Sequence, residues 1–474
     1  MDNLLYKQKN VWDILSDEDK AAIGPFCEAY KTFLDRGKTE RLCISYAIEL
    51  AEAQGFQAYH PEMDITPGKK IYVNNRNRAI YLAIIGERPL AEGANIAVAH
   101  VDSPRLDLKP LPLFEDSELA YLKTHYYGGV RKHQWVTIPL SLHGVVVTRT
   151  GEVVEVAIGD KPNDPCFTIT DLPPHLSKDQ NKKILEEGFS GEGLNALIGG
   201  EPQRGKNAEE TGSLSELKNE SSAKDRIKLS VLSALKGRYG VTEEDFLSAE
   251  LMLVPAFGAR DVGLDRSFIG GYGQDDRVCA WAGLKALFDL EGTPKRTAIV
   301  ALADKEEIGS EGVAGMQSQA FEHFLEDLCD AQGAKLSHCL RKAFCLSLDV
   351  CNGFDPNYPE VSEKRNNAKL NYGVAVMKYT GSRGKSGSSD ASAELVGRLR
   401  QVFERDGVVW QMGELGKVDQ GGGGTVAAFL SRRNIDTIDA GVPIQSLHAP
   451  FEIAAKTDCY MSYKAALAVF RHMD

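Results

Sequence analysis

Apolar runs that carry no charge alternate along the chain with segments whose apolar residues recur every three or four positions. The uncharged runs predict strands, and they lie at residues 71–74, 79–85, 94–99, 251–256, 297–303 and 343–348. The second kind of segment predicts helices, at residues 39–54, 225–239, 278–290, 311–330, 391–404 and 454–472. Because strands and helices alternate, we predict an α/β fold with helices on both faces of a sheet.

The stretch of residues 109–249 shows a different pattern of apolar and polar residues. It contains short β-type runs at 135–140 and 143–148, a proline-rich turn at 171–175, and a polar stretch at 203–228 that predicts an exposed loop. Strands that end in a carboxylate or imidazole occur both before and after it. We therefore predict that residues 109–249 form a domain inserted into a discontinuous domain made of residues 1–108 and 250–474.

Composition and charge limit the partners and the cellular locations that the sequence is compatible with. The 474 residues are 43% hydrophobic and 26% charged, and the net charge is −12 with no block of Lys or Arg, which argues against nucleic acid or an anionic membrane as a partner. No apolar run approaches the roughly 18 residues of a membrane span, and the first residues lack a secretory apolar core. The nine cysteines are scattered, as expected for free thiols. We expect a cytoplasmic protein.

Five potential metal ligands share one local pattern, in which a strand or a glycine-rich approach ends in an imidazole or a carboxylate. They are His100, Asp275, Glu307, Asp349 and His448. Strand ends of this kind converge on one crevice in an α/β sheet. A nitrogen and oxygen ligand set without cysteine favours a pair of Zn²⁺ ions, or Mn²⁺ or Co²⁺, over a structural zinc. A shared carboxylate would hold the two ions about 3.5–4 Å apart.

Two further carboxylates complete this constellation. Neighbouring side chains of an extended chain point in opposite directions, so we expect Glu307 to bind metal and Glu306 to act as general base for a bridging water. Asp102, two residues after His100, is placed to orient that imidazole. Taken singly, each residue has a plainer explanation, such as a helix cap for Asp275 and Asp276. Their common placement at the ends of core elements favours the metal site.

Several of these motifs together resemble one family of metallopeptidases. They are His-Val-Asp-Ser-Pro at 100–104, Gln-Asp-Asp at 274–276, Asp-Lys-Glu-Glu-Ile-Gly-Ser-Glu at 304–311, Asp-Pro-Asn-Tyr at 355–358 and Leu-His at 447–448. The family contains aspartyl aminopeptidase and vacuolar aminopeptidase I, and the resemblance covers nearly the whole chain. It implies a dinuclear zinc aminopeptidase whose mixed-sheet, phosphorylase/hydrolase-like core carries an inserted β-rich dimerisation domain. It also implies a homo-oligomer, a tetrahedral dodecamer built from dimers.

The resemblance assigns roles motif by motif. The terminal ligands would be His100, Glu307, Asp349 and His448. Asp275 matches the bridging carboxylate, and the sequence leaves the choice between Asp275 and Asp276 open. Glu306 matches the catalytic base and Asp102 the residue that orients His100. For substrate binding, Lys378 matches a lysine that pairs with acidic substrate side chains, and His175 lies in a segment that resembles one donated to a neighbouring active site.

The expected activity is removal of the N-terminal residue from peptides with a free N-terminus, with a preference for Asp or Glu. The loop at 381–387 lacks the tyrosine of the acidic-specific pattern, so a neutral preference such as Leu is an alternative. A deacylase for N-acyl amino acids would fit the same crevice, and a non-enzymatic assembly protein with a degenerate site is a third hypothesis. The four glycines at 421–424 lack the Gly-Lys-Ser/Thr ending of a phosphate loop.

Overall fold

The computed structural model describes residues 4–202 and 225–474. Most of the predicted loop at 203–228 therefore lies outside the described residues. Two compact units are present, one made of Met1–Ser103 and Gly258–Asp474 and the other of Pro104–Phe257. Within the described ranges, no helix combines the length and apolar character that crossing a membrane requires.

The helices, in chain order, are α1 (Asp17–Arg36), α2 (Glu40–Ala53), α3 (Leu185–Gly188), α4 (Arg226–Tyr239), α5 (Gln274–Phe288), α6 (Ala320–Ala331), α7 (Leu336–Lys342), α8 (Ala393–Arg405), α9 (Ala427–Arg432) and α10 (Lys456–His472). The strands are β1 (Gln57–Ala58), β2 (Lys70–Asn75), β3 (Ala79–Ile84), β4 (Ala94–His100), β5 (Arg105–Asp116), β6 (Leu119–Tyr127), β7 (Leu140–Val147), β8 (Val153–Ile158), β9 (Thr168–Ile169), β10 (Asn195–Gly199), β11 (Ala249–Pro255), β12 (Arg260–Val262), β13 (Phe268–Gly271), β14 (Thr297–Ala303), β15 (Phe344–Ser347), β16 (Cys351–Asn352), β17 (Val374–Met377), β18 (Gly381–Ser382), β19 (Trp410–Met412), β20 (Gly422–Gly423), β21 (Asp436–Gly441), β22 (Pro443–Gln445) and β23 (Glu452–Ala455).

A nine-stranded mixed sheet forms the centre of the first unit, in the order β1-β2-β3-β14-β4-β15-β21-β17-β19. Its four middle strands β14, β4, β15 and β21 are parallel to one another. Alternate residues of β14 enter two hydrophobic clusters, with Val300 and Leu302 in one and Ile299 and Ala301 in the other. Helices α1, α2, α5, α8 and α10 contribute to the first cluster and α6, α7 and α9 to the second. The predicted α/β fold, with helices on both faces of a sheet, is therefore confirmed.

Strand register aligns the residues that end the parallel strands. Ala303 at the end of β14 pairs with His100 at the end of β4, and Ser347 at the end of β15 pairs with Val98. The chain segments that leave these strands therefore start beside one another. A five-stranded sheet in the order β12-β13-β23-β22-β16 and the two-stranded pair β18-β20 complete this unit.

The unit Pro104–Phe257 is built on a seven-stranded antiparallel sheet in the order β8-β7-β11-β5-β6-β10-β9. Helix α4 covers part of it, with Ile227 buried against Leu113 and Leu122. The predicted helix at 225–239 is confirmed by α4. Residues 135–139 are not a strand as predicted, because the segment turns through Thr137 at a φ of +62° and β7 begins only at Leu140.

Helix α6 is shorter than predicted. It begins at Ala320 instead of residue 311, since residues 311–319 form turns around Gly312, which has a φ of +83°. Gly315 packs so closely on Ser310 that a Cβ would lie 2.1 Å from its carbonyl oxygen. These glycines favour turns over helix.

Candidate metal centre

Two groups of potential ligands lie side by side in the first unit and share one residue. His100, Asp275 and Asp349 form one group, and Asp275, Glu307 and His448 form the other, with the potential ligand atoms of each group within 4.8 Å of one another. Asp275 Oδ1 lies 3.1 Å from His100 Nε2, and Asp275 Oδ2 lies 3.1 Å from His448 Nε2. The carboxylate of Asp275 therefore offers one oxygen to each group, which is the geometry of a bridging ligand.

The other carboxylates complete the two groups. Asp349 Oδ1 lies 3.9 Å from His100 Nε2, and Glu307 Oε1 lies 3.6 Å from His448 Nε2. Glu307 Oε1 is buried and accepts no hydrogen bond within the part of the chain that the structure describes. Because a buried carboxylate oxygen without a partner is costly, this atom and the mixed donor set fit divalent metal ions.

Each candidate ligand lies where a strand has just ended or where the backbone angles are not those of a regular helix or strand. β4 ends at His100, and Asp349 follows β15 by two residues. Asp275 lies at the start of α5 with non-helical φ and ψ angles, and the Asp275–Asp276 peptide bond is cis. His448 has a φ of +64° in the turn after β22. These departures occur where five side chains must converge.

Glu306 and Glu307 do not lie in an extended chain, as the sequence analysis assumed. Glu306–Ile308 is a single turn of 3₁₀ helix that follows Lys305 in the left-handed conformation. Glu307 nevertheless faces His448, and Glu306 Oε2 lies 3.9 Å from His100 Nε2. The two side chains therefore occupy different positions, although the reason is the turn and not strand alternation.

Asp102 contacts both His100 and the Glu306–Glu307 turn. Its carbonyl oxygen lies 3.0 Å and its Oδ1 3.4 Å from His100 Nδ1. Its two carboxylate oxygens accept hydrogen bonds from the backbone N–H groups of Glu306 and Glu307, both at 3.1 Å. The predicted contact of Asp102 with the His100 imidazole is present. The hydrogen bonds of Asp102 to the Glu306–Glu307 turn were not indicated by the sequence.

Glu452 is a residue of this site that the sequence analysis missed. It is buried on β23, and its carboxylate accepts from the backbone N–H of His448 at 2.8 Å and of Asp275 at 3.2 Å. One carboxylate thus fixes the backbone of two ligands. The available signal was a lone acidic residue in the apolar run of residues 449–455.

Asp276 belongs to neither ligand group. Its Oδ2 accepts from the backbone N–H of His100 at 3.3 Å, and the residue is fully buried. Burial, first among the causes, raises the pKa of Asp276 well above its usual range. The structure therefore places Asp275, and not Asp276, between the two imidazoles.

Charge and burial also shift the pKa values at the centre. Burial raises the pKa of Glu306 to about 7, with His100 opposing the shift and Asp102 adding to it. Burial would also raise the pKa of Asp275, but hydrogen bonds from His100 and His448 outweigh burial and hold it below its usual range. A carboxyl group that titrates near neutral pH is suited to general base chemistry.

A cavity of about 570 Å³ opens beside the ligands. Its inner end is formed by Glu306 and the ligands Asp275, Glu307, Asp349 and His448. Two loops, which the β18-β20 pair joins, form the outer end and contribute three basic residues, Arg383, Lys385 and Lys417, and Arg432 at the end of α9 adds a fourth. Lys385 Nζ lies 3.8 Å from the ring centroid of Tyr379 and 3.2 Å from Asp390 Oδ1, and Tyr379 Oη donates to Glu414.

The two predicted substrate-binding residues lie elsewhere. Lys378 does not line this cavity, whereas its neighbours Met377 and Tyr379 do. His175 is exposed in a turn of the unit Pro104–Phe257, and its role toward a neighbouring subunit stays a prediction.

Comparison with known proteins agrees with this geometry. Residues 33–470 match the family model described as aminopeptidase I zinc metalloprotease (M18). A probable M18 family aminopeptidase 1 of Clostridium acetobutylicum is 44% identical over 466 residues, 97% of each chain. The crystal structure of an M18 family aminopeptidase from Thermotoga maritima superposes with a TM-score of 0.91 at 41% identity, over 98% of this chain and 100% of that one.

More distant relatives share the fold. A yeast mApe1 dodecamer, at 20% identity, superposes with a TM-score of 0.73 over 94% of this chain and 96% of that one. Since the family model covers most of the chain, the protein belongs to the M18 family of aminopeptidase I zinc metalloproteases.

Proposed function

We propose that this M18 aminopeptidase hydrolyses the N-terminal peptide bond at a site for two metal ions. The observation that carries the proposal is the position of Asp275, with one carboxylate oxygen 3.1 Å from each imidazole. His100 and Asp349 would complete the ligands of one ion, and Glu307 and His448 those of the other. Zn²⁺ fits this donor set and the family description, and Mn²⁺ or Co²⁺ could replace it.

When bound, two such ions would polarise the scissile carbonyl and make a water acidic. Glu306 lines the cavity beside the two ligand groups and belongs to neither, with its Oε2 3.9 Å from His100 Nε2, so it is placed to take a proton there. In the proposed mechanism, Glu306 accepts the proton of the attacking water and then donates it to the leaving amine. Asp102 keeps Glu306 in place through the backbone N–H of the turn.

The cavity supports a peptide substrate with a free N-terminus and an acidic first residue. Carboxylates at its inner end supply negative charge for an α-amine, and the basic residues of the two loops supply positive charge for an Asp or Glu side chain. This assigns the acidic preference to the loops and not to Lys378.

We also propose assembly of the chain into a homo-oligomer, a dodecamer built from dimers, in which the unit Pro104–Phe257 mediates dimerisation. The dodecameric yeast relative and the sequence resemblance support this assembly. All nine cysteines are free thiols, which supports a reducing, cytoplasmic location.

Glu306→Gln tests the mechanism. We expect this variant to keep its metal but to lose kcat by about 10²–10⁴-fold, the usual contribution of a general base. Glu311→Gln, which changes an exposed carboxylate of the same loop, should keep full activity. Wild-type turnover in a metal-loaded Glu306→Gln variant would refute the assignment.

A substrate panel tests the activity itself. Asp-, Glu-, Leu- and Lys-p-nitroanilides would be compared with N-acetyl amino acids, each with Zn²⁺, Mn²⁺ and Co²⁺. We expect cleavage of the free-amine substrates, fastest for Asp and Glu. Cleavage of the N-acetyl compounds alone would identify a deacylase instead.

A further inference from the structure

A buried cluster of charges lies behind the turn that carries Glu306 and Glu307. Arg78 Nη1 lies 2.8 Å from Glu40 Oε1 and 3.1 Å from Asp304 Oδ2. The side chain of Arg78 is 13% exposed, and those of Glu40 and Asp304 are 0% exposed. We propose that Arg78 is a positioning residue for the catalytic turn and acts on it through Asp304.

Asp304 connects Arg78 to the turn by a short path. Its Oδ1 accepts a hydrogen bond from the backbone N–H of Lys305 at 2.8 Å, while its Oδ2 faces Arg78. Lys305 has a φ of +73°, a conformation that non-glycine residues seldom adopt and that neighbouring contacts must stabilise. Glu306 follows directly, so the direction of its side chain depends on this residue.

Lys305 in turn fixes the rest of the turn. Its carbonyl oxygen accepts from the backbone N–H of Ile308 at 3.3 Å and of Ser310 at 2.6 Å. On the metal side, Asp102 accepts from the N–H groups of Glu306 and Glu307. The turn is therefore held from two sides, by Asp102 at the ligands and by Asp304 at the charge cluster.

Arg78 lies in a tight turn between two paired strands. It follows Arg76 and Asn77, both at positive φ, in the tight turn between β2 and β3. Glu40 is the first residue of α2, where a negative charge is favourable. The guanidinium thus ties the catalytic turn to a hairpin and to a helix terminus. It lies between two carboxylates that are removed from water, and Lys305 Nζ, 3.5 Å from Asp304 Oδ2, is a second positive charge beside Asp304.

Loss of Arg78 would leave those two buried carboxylates without the guanidinium between them. Breaking a buried ion pair from one side is costly because the remaining charge stays desolvated. Asp304 would then shift or take up a proton, and its hold on Lys305 would weaken. A displacement of about 1 Å at a reacting group can cost about 10²-fold in rate.

Arg78→Met tests this proposal, and its activity readout rests on the proposed function. We expect kcat on Asp-p-nitroanilide to fall about 10–100-fold at saturating metal, with KM within about threefold of wild type. Because Glu307 lies in the same turn, the affinity for Zn²⁺, measured by competition with a chromogenic chelator, should fall about tenfold. The chelator measurement needs no turnover, so it separates a failure of this proposal from a failure of the proposed function.

Three further variants make the result specific. Glu40→Gln combined with Arg78→Met removes the second carboxylate and should restore kcat at least about fivefold over Arg78→Met alone. Arg78→Lys keeps the charge, so it should fold and lose less than Arg78→Met. Arg36→Met removes an arginine whose pair with Glu49 is 48% and 59% exposed, and it should match wild type in every readout.

The proposal predicts a charge-dependent change in kcat and in Zn²⁺ affinity. It would be overturned if folded Arg78→Met had both quantities within twofold of wild type, even with a lower Tm. It would also be overturned if the Glu40→Gln change gave no recovery and Arg78→Lys behaved as Arg78→Met.

Discussion

The two ends of the cavity are built in opposite ways. At the inner end, His100, Asp102 and Asp275 are almost fully buried, and each is held by several polar contacts. At the outer end, Arg383 is exposed and the Lys385 side chain is 44% exposed, on loops rich in glycine. The inner end holds buried side chains, whereas the outer end carries its charges on side chains that are partly or fully exposed.

In the proposed function, the inner end carries out peptide hydrolysis and the outer end determines the preference for the first residue of the substrate. A buried charge that loses its partner carries a large desolvation cost, so few substitutions at the inner end can be tolerated. Solvated charges contribute little to stability, and therefore the loops can change composition at low cost. The comparison predicts large effects for inner substitutions and graded effects for outer ones.

The largest effect is expected for Asp275→Asn, which removes the shared carboxylate. Both ions should be weakened, and kcat/KM should fall about 10³-fold or more, equivalent to several kcal/mol of transition-state stabilisation. Asp276→Asn is the matched control, because Asp276 is the neighbouring buried carboxyl, belongs to neither ligand group and contacts only the backbone N–H of His100 among the candidate ligands. Metal analysis and kinetics on both variants check this, and equal losses in the two would contradict the bridging role of Asp275.

Glu452→Gln should have an intermediate effect. The carboxylate now accepts from the backbone N–H groups of His448 and Asp275, and the amide NH₂ of Gln would face one of these donors with a second donor. We expect Zn²⁺ affinity to fall about 10–100-fold, as for other residues that support metal ligands, with kcat at saturating Zn²⁺ nearly unchanged.

Glu363 provides the control for that experiment. It also accepts two backbone hydrogen bonds, from Arg365 and Asn366, but it is exposed. Glu363→Gln should leave Zn²⁺ affinity unchanged in the same chelator titration. Unchanged affinity in Glu452→Gln as well would show that the inner end does not depend on this carboxylate.

The smallest effect is expected at the outer end. Lys385→Met and Lys417→Met should each lower the preference for Asp- over Leu-p-nitroanilide, in kcat/KM, by up to about tenfold, with metal content unchanged. Lys378→Met should leave the preference as it is, since Lys378 does not line the cavity. If only Lys378→Met lost the preference for Asp- over Leu-p-nitroanilide, Lys378 and not the loops would determine specificity.

Sequence patterns predicted the inner end better than the outer end, for a physical reason. Buried strands must be apolar, so the predicted strand at 297–303 coincides with β14, and the polar residues that end such strands stand out as His100, Glu307 and Asp349 do. Asp275 and His448 were predicted from the same pattern. The structure brings all five side chains together, and their binding of metal stays a prediction.

The contacts that support these ligands were not predictable. Glu452 accepts from the backbone N–H of Asp275, 177 residues away, and Arg78 lies 38 and 226 residues from its two carboxylate partners. The 3₁₀ turn at Glu306–Ile308 depends on Asp102 and Asp304, which no local propensity reveals. The outer loops lack periodicity, so the cavity-lining role of Lys417 required the structure.

The number of Zn²⁺ ions bound per chain tests the central claim most directly. Metal-free protein would be dialysed to equilibrium against increasing Zn²⁺, and the bound metal would be counted by mass spectrometry against protein concentration. Two ligand groups that share Asp275 predict saturation at two ions per chain. Saturation at one ion or fewer would contradict the two-metal account.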